Sequence, residues 1–278
     1  MHQVIHSSIA RNIPPHQLPQ VRSFPRKVRV DFSVGRYTVR TIDTEAEFAQ
    51  VLTLRRDVFL AEFAGKDLVF LNDCDSFDEL SDVLAISEHE TGRIVGAYRL
   101  IGSLYSDRYY TETEFALGDF ADLPGVKLEL SRACIAPDQR NGIVISLLWK
   151  GLAEYARLTG TDYLFGLSSV NTVRSEEAAA IFRHFDAKGL VDFRYGIAPL
   201  SGGKIEDLTE AVRGAVITED QQQGGSLLVP SLLKSYIKAG ARVCSYPVID
   251  HEFRCIDFLT VLRWKDLATS YQRRFTEN

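Results

Sequence analysis

Two neighbouring stretches of the chain carry residues whose types and spacing could do chemistry. Glu129 and Arg132 lie in a segment, 126–135, whose pattern predicts a strand, and a turn over 139–142 follows before a strongly helical stretch. The first free amide groups of such a helix, together with its dipole, form a site for an anion such as a phosphate. We therefore take the four turn residues as phosphate-binding candidates: Gln139, Arg140, Asn141 and Gly142.

Glu129 is the candidate general base of this strand, and Arg132 is taken with it as a catalytic candidate. A protonated amine must lose a proton before its nitrogen can attack a carbonyl carbon, and burial would raise the pKa of Glu129 toward the range that such a base needs. Amide groups near Cys134 and Ile135, where the strand is expected to splay, would stabilise the oxyanion. The alternative interpretation is that Glu129 is buried only to pair with Arg132 or Arg99.

Four further charged residues lie in partly apolar surroundings and form a second group of candidates. They are Arg56, Asp75, Asp78 and Arg99. An arginine suits a carboxylate through bidentate geometry, and an aspartate suits an ammonium group, so the four could bind an amino acid acceptor. The alternative interpretation is a structural ion-pair network.

Two polar residues follow the next predicted strand, 163–167, on the side opposite the phosphate turn. Ser168 and Asn171 are interpreted as contacts to the phosphorylated arm of a donor. Ordinary capping of a strand end is the alternative.

The elements that must position these residues alternate between strand and helix. The predicted strands are 28–32, 37–41, 83–88, 93–101, 126–135, 163–167, 242–248 and 255–262. The predicted helices are 44–62, which opens with a capping box, 141–157, 175–185 and 230–240. The order strand, helix, strand over 126–167 predicts a parallel strand pair that holds both candidate sites.

Composition excludes several classes of protein. The chain has 278 residues, 45% of them hydrophobic, a net charge of −5, and four cysteines without C-x-x-C spacing. It lacks the run of roughly 18 to 20 apolar residues that a membrane span needs, and a secretion signal, so we expect a cytoplasmic protein with reduced thiols. The histidine spacing predicts no metal site, and the negative charge argues against nucleic acid as a partner.

Charge is uneven along the chain, because residues 1–42 carry seven arginines and lysines against a single aspartate. We predict a basic flexible arm over 1–25 and a single domain over 26–270. A basic arm on an acidic protein suggests an anionic partner, either an acidic carrier protein or anionic lipid head groups. A solubilising tail is the alternative.

The wider sequence resembles the ornithine N-acyltransferases of ornithine-lipid synthesis and, more remotely, the acyl-homoserine-lactone synthases. The elements that carry the resemblance are Arg56 with Phe59, Asp75–Asp78, Tyr98–Leu100, Glu129–Arg132, Leu148–Leu152, and 240–241 through 248–250 to 257–259. They fall in order across residues 50–265. The resemblance implies an α/β fold of the GNAT type, a mixed central sheet flanked by helices, with a C-terminal extension.

The same resemblance implies an N-acyltransferase that moves a 3-hydroxy fatty acyl chain from acyl carrier protein to the α-amine of an amino acid, ornithine first. The product would be a lyso-ornithine lipid, made at the cytoplasmic face of the inner membrane by a peripheral enzyme. No permanently bound cofactor is expected.

The phosphate turn is similar to the Q-x-x-G-x-G/A turn with which GNAT enzymes hold the pyrophosphate of coenzyme A. Val144 stands where that pattern has its last small residue. We expect its side chain to crowd the backbone, which favours the single phosphate of the 4'-phosphopantetheine arm of acyl carrier protein over coenzyme A.

Two alternatives to this function stay open. One is a signal synthase that makes an acyl-homoserine lactone from S-adenosylmethionine, or another N-acyl amino acid, since similar relatives acylate glycine or tyrosine. The other is a GNAT-fold protein that binds acyl carrier protein or lipid without catalysis. Glycerolipid acyltransferases and serine hydrolases are excluded, because the sequence has neither H-x-x-x-x-D nor G-x-S-x-G.

Overall fold

The computed structural model of the chain describes residues 26–62 and 73–275. The predicted basic arm over 1–25 lies outside the described residues. Within the described ranges, no helix combines the length and the apolar character needed to cross a lipid bilayer.

The described part of the chain contains twelve strands and eight α-helices. The strands are β1 (Asp31–Val34), β2 (Tyr37–Thr41), β3 (Asp82–Glu88), β4 (Ile94–Gly102), β5 (Phe115–Ala116), β6 (Val126–Ile135), β7 (Thr161–Val170), β8 (Ala198–Pro199), β9 (Ile205–Asp207), β10 (Arg242–Val243), β11 (Val248–Asp250) and β12 (Cys255–Arg263). The helices are α1 (Glu45–Glu62), α2 (Asp119–Asp122), α3 (Ile143–Thr159), α4 (Ser175–Ala187), α5 (Thr209–Gly214), α6 (Glu219–Leu228), α7 (Ser231–Ala239) and α8 (Thr269–Phe275).

Ten of these strands form one sheet in the order β1-β2-β3-β4-β6-β7-β12-β11-β9, with β10 paired to β12. Strands β6 and β7 run parallel, as the sequence predicted, and the other neighbours in the sheet are antiparallel. The C-terminal strand β12 lies beside β7, so the C-terminal extension completes the centre of the sheet. The predicted fold class, a mixed sheet flanked by helices, is confirmed.

Local sequence signals explain where the two long helices begin. At α1 half of the predicted capping box forms: the amide of Glu47 donates to the Thr44 hydroxyl at 3.2 Å, whereas the Glu47 carboxylate accepts the Thr44 hydroxyl at 2.8 Å and the amide of Asp43 at 3.3 Å. Helix α3 begins after Gly142, whose φ of 87° favours glycine. The start of each helix therefore follows from a local feature of the sequence, the Thr44 hydroxyl at α1 and the glycine at α3.

The two faces of the sheet differ in character where β4 and β6 meet. Gly96 of β4 lies under α3, since a Cβ there would be 2.6 Å from Val144. Arg99, three residues on, lies on the opposite face, where it bonds Ser131 of β6 at 2.9 Å. We call the face with Arg99, Glu129 and Ser131 the polar face, and the face under α3 the apolar face.

Candidate active site

The parallel pairing of β6 and β7 stops half-way along both strands. The last pair joins Glu129 to Phe165, after which β6 stays bonded to β4 and β7 to β12. A wedge-shaped opening therefore separates β6 from β7. At its base, Gly166 allows close approach, because a Cβ there would lie 2.2 Å from the carbonyl oxygen of Leu130.

The separation begins earlier along β6 than the sequence predicted. Cys134 and Ile135 are paired with Ala97 and Gly96 of β4, near the open end of the wedge. The expectation that the strand splays at 134–135 is therefore wrong, because the parallel pairing has already ended at Glu129.

Glu129 lies at the base of the wedge and is completely buried. Its carboxylate accepts the amide of Tyr110 at 2.8 Å, the amide of Thr111 at 2.6 Å, and the Thr111 hydroxyl. Burial raises the pKa of Glu129, whereas the donors from Thr111 and Tyr110 act in the opposite direction. The carboxylate thus anchors the 3-10 turn at Tyr110–Thr113 while keeping the raised pKa that a base needs.

Three arginines and three aspartates form an ionic cluster on the polar face. Arg55 pairs with Asp78 at 2.8 Å, Arg99 with Asp75 at 2.7 Å, and Arg132 with Asp73 at 2.9 Å. The cluster is cross-linked, because Arg99 also approaches Asp78 at 3.6 Å and Arg132 approaches Asp75 at 3.3 Å. The structure therefore shows the ion-pair network that was the alternative interpretation for Asp75, Asp78 and Arg99.

Arg132 enters this cluster through an unusual backbone conformation. Its φ is 52°, at a bulge where β6 has one residue more than β4. The bulge turns the guanidinium across the ring of Tyr110, at 4.5 Å from the ring centre, and toward Asp73. A positive φ strains the backbone of a residue other than glycine, and such strain is common at functional sites, so it supports a functional role for Arg132.

Arg56, the predicted acceptor-binding arginine, lies outside the cluster. Its side chain is exposed on α1 and pairs with its neighbour Asp57 at 2.9 Å. Consecutive residues of a helix point about 100° apart, so only Arg55 faces the sheet. Arg55, which is fully buried, is therefore the arginine of α1 that joins the ionic cluster, and Arg56 lies outside the site.

A second acidic group on the polar face was not predicted as a site. Glu114, Asp250 and Asp257 are buried side by side with Cys255. Asp257 lies opposite Ser169 of β7 and accepts its hydroxyl at 2.6 Å. Glu114 follows a segment without periodicity and carries no local signal of a site, although Asp250 and Asp257 belonged to the family resemblance.

The predicted phosphate turn forms at the mouth of the wedge. Asn141 Oδ1 accepts the amide of Ile143 at 3.0 Å, and the first intrahelical bond of α3 runs from Ser146 to Gly142. The amides of Val144 and Ile145 lie between these two bonds. They have no acceptor within the helix, so they point out of its end. This end can therefore bind an anion.

The side chains of the turn differ in their roles. Gln139 is buried and accepts the hydroxyl of Tyr37 at 3.0 Å, so it holds the turn in place. Arg140 is half-exposed, donates to the carbonyl of Ile135 at 3.2 Å, and pairs with Glu62 at 2.7 Å. Of the two, Arg140 is the one that a phosphate could reach.

Val144 does not obstruct this helix end. Its side chain is completely buried against Gly96 of β4 on the apolar face. The expectation that Val144 crowds the phosphate-binding backbone is wrong, because the side chain points into the core. The steric argument against coenzyme A does not hold.

Ser168 and Asn171 lie on the β7 side of the wedge. The Ser168 hydroxyl is buried, and among the described residues it has no hydrogen-bond partner. Asn171 donates to the carbonyl of Glu62 at 2.7 Å. Because the side chain of Glu62 also holds Arg140, the end of α1 connects both sides of the wedge.

On the apolar face a narrow cavity lies beside the base of the wedge. Its walls include Leu130, Trp149, Gly166, Tyr236 and Ala241. Tyr236 shares a hydrogen bond of 2.6 Å with the hydroxyl of buried Tyr98. The cavity is apolar and lies apart from the ionic cluster, so it is the candidate acyl-chain site, although a long chain would have to widen it.

The comparison with known families decides the class of this arrangement. Residues 54–150 match the model of the acetyltransferase (GNAT) domain. These residues carry a GNAT domain. The predicted acyltransferase class is thereby confirmed.

Curated relatives agree with this classification. The chain is similar to the L-ornithine N(alpha)-acyltransferase of Rhizobium meliloti, with 30% identity over 68% of this chain and 66% of the relative. It is 26% identical to that of Brucella abortus, over 86% of this chain and 88% of the relative. A CoA-dependent acyl-homoserine lactone synthase, BjaI, aligns with a TM-score of 0.44 at 16% identity, covering 84% and 83% of the two chains. The predicted resemblance to the ornithine N-acyltransferases is confirmed.

Proposed function

We propose that this enzyme transfers a fatty acyl chain from a 4'-phosphopantetheine thioester to the α-amine of ornithine. The observation that carries the proposal is the wedge between β6 and β7. It has a buried carboxylate at its base and a helix end with free amides at its mouth. The relatives named above support ornithine as the acceptor.

The dimensions of the wedge suit an extended pantetheine arm. From Leu130 to Ile135, β6 spans the length of four residues of β4, about 14 Å at about 3.4 Å per residue, because of the bulge at Arg132. A phosphate at the amide end of α3 would therefore place the thioester near the base, close to Glu129. Arg140 and Asn171, which face each other across the mouth through Glu62, would contact the phosphorylated end.

The acceptor would bind on the polar face. Arg99 is completely buried, and its Nη2 has no hydrogen-bond partner among the described residues. We assign the α-carboxylate of the acceptor to Arg99 and Arg132, because a guanidinium binds a carboxylate through two parallel hydrogen bonds. Asp75 and Asp78 neutralise these arginines and hold them in place.

The reaction requires one proton transfer before bond formation. Glu129 takes a proton from the α-ammonium group, and the free amine attacks the thioester carbon, forming the C–N bond. Collapse of the tetrahedral intermediate breaks the C–S bond, and the thiolate leaves as the thiol after taking one proton. The second proton of the amine passes to solvent, so charge and atoms balance.

We further assign the donor to acyl carrier protein, and the product to lipid synthesis at the inner membrane. The basic residues of the N-terminal segment and exposed Arg140 support an acidic carrier. Coenzyme A carries the same pantetheine arm, so the two donors must be separated by experiment.

The test is an incubation of purified protein with thioesters of acyl carrier protein and of coenzyme A, each with a panel of amino acids. We expect thiol release and N-acyl-ornithine, identified by mass spectrometry, with the carrier-protein thioester. A lactone product formed with S-adenosylmethionine would favour the signal synthases. Absence of thiol release with every acceptor would favour a non-catalytic binding protein.

A further inference from the structure

The acidic group on the polar face contains more negative charge than its surroundings balance. Glu114, Asp250 and Asp257 are 2%, 4% and 3% exposed. Oxygen or sulfur atoms of Asp250, Cys255 and Asp257 lie within 4.8 Å of one another, close enough to share one cation. Glu114 Oε2 has no hydrogen-bond partner among the described residues.

The three arginines of the ionic cluster are already paired with its aspartates, and Lys204 acts on Asp250. Arg55, Arg99 and Arg132 are each within 4 Å of aspartates of the ionic cluster, which has three positive and three negative charges. The charged and titratable groups that influence Glu114 from the neighbouring elements are Asp250 on β11, Cys255 and Asp257 on β12, Arg132 on β6, and Tyr110. In this set, Glu114 and its two aspartate neighbours face a single arginine, Arg132.

Burial also affects the protonation of Glu114 and Asp257. Burial, and then the charge of Asp257, raises the pKa of Glu114 to about 10. Burial also raises the pKa of Asp257 to about 6. In the free enzyme at neutral pH the two carboxyl groups therefore share one proton, which is favoured on Glu114.

The position of the pair fits the second end of an acceptor that is already held by its α-carboxylate. Asp257 is bonded across β12 and β7 to Ser169, on the strand that forms one side of the wedge. It shares the polar face with Glu129, because Phe165 pairs with both Glu129 and Val261, four residues along β12. The pair therefore lies on the polar face between the base and the mouth of the wedge, close enough to Arg132 to feel its charge.

We propose that Glu114 and Asp257 bind the side-chain ammonium group of a cationic acceptor such as ornithine. The proposal rests on the function proposed above and identifies what selects the side chain. An ammonium group donates up to three hydrogen bonds and supplies the missing positive charge, so it satisfies Glu114 Oε2 and Asp257 together. It replaces the prediction that Asp75 or Asp78 binds this group, since arginines already occupy those two.

Binding of this ammonium group must expel a proton. Two ionised carboxylates are favoured once a cation lies between them, so Glu114 loses its proton to the buffer when ornithine binds. Norvaline has the same α-amine and carboxylate but ends in a methyl group. It leaves Glu114 protonated, and the difference between the two amino acids isolates the side-chain site.

The first experiment compares acceptor selectivity in Glu114→Gln and Asp257→Asn, with Glu206→Gln as the matched control. Glu206 is an exposed acid of β9 that pairs with His251. We expect the ratio of kcat/KM for ornithine to that for norvaline to fall at least about tenfold in both site variants, the loss of one charged hydrogen bond. The control should keep the wild-type ratio. An unchanged ratio in active Glu114→Gln enzyme overturns the proposal.

The second experiment measures proton release by calorimetry of ornithine and norvaline binding in buffers of different ionisation enthalpy. We expect about one more proton released with ornithine at pH 7.5, and no such difference in Glu114→Gln. Equal release for both amino acids overturns the proposal, as does activity that is lost to a chelator and restored by a divalent cation. If the wild type acylates no amino acid, the proposed function fails, while a calorimetric preference for ornithine would still support this site.

Discussion

The two faces of the sheet at the wedge are built from the same strands but have opposite character. On the polar face, Arg99, Glu129 and Ser131 belong to a network of charges and hydrogen bonds. On the apolar face, Leu130 lies beside Trp149 in a narrow cavity. Glu129 and Leu130 are adjacent in sequence, yet they serve opposite surfaces because side chains alternate along a strand.

This difference explains how one opening can receive two unlike substrates, the acyl donor and the amino acid acceptor. A donor arm between β6 and β7 reaches both faces, so its acyl chain can lie among apolar side chains while its carbonyl carbon faces the ionic cluster. The acceptor needs only the polar face. The two faces can therefore be perturbed separately, which gives three predictions.

The largest effect is expected on the polar face, from Asp78→Ala. Asp78 is completely buried between Arg55 and Arg99, and these two arginines hold its pKa below the ordinary value against the effect of burial. Its removal leaves the buried guanidinium of Arg55 without its ion-pair partner and leaves Arg99 with Asp75 alone. We expect a loss of about 3–5 kcal/mol in the free energy of unfolding, measured by chemical denaturation.

Asp57→Ala is the matched control for this change. Asp57 also pairs with an arginine of α1, Arg56, but both side chains are exposed. An exposed pair contributes at most about 1 kcal/mol. Similar losses in the two variants would contradict the account of the polar face as a buried network.

An intermediate effect is expected on the apolar face, from Ala241→Leu. Ala241 is buried in the wall of the cavity near Trp149, so three added carbons would fill the space assigned to the acyl chain. We expect kcat/KM for long acyl donors to fall roughly tenfold relative to short donors, in line with the cost of overpacking. Ala198→Leu, on an exposed strand, should leave the chain-length profile unchanged. A uniform loss at every chain length would exclude this cavity as the acyl site.

The sequence predicted the framework better than the pairing of its charges. The bond from the Glu47 amide to Thr44, the turn at Gly142 and the parallel strands around α3 follow from local spacing, and all three form. Which side chain faces which is decided by contacts distant in sequence. Choosing Arg55 over Arg56 required the exact rotation of α1, and the burial of Glu114 beside Asp257 depends on residues 143 positions apart in the chain.

The smallest effect is expected from Thr111→Ala on the polar face, and it tests Glu129 as the base. Thr111 donates both its hydroxyl and its amide to this carboxylate, and these bonds favour the ionised form against the effect of burial. Thr111→Ala removes the hydroxyl donor, so the pKa of Glu129 should rise further. A base works only when ionised, and activity is lost as pH falls through its pKa. The acidic limb of kcat/KM against pH should therefore move to higher pH by about one unit or less.

Thr113→Ala removes a hydroxyl of the same turn that bonds only the carbonyl of Tyr110, and it should leave the profile in place. An acidic limb that stays fixed in Thr111→Ala would assign Glu129 to anchoring the turn and leave the base to be found elsewhere on the polar face.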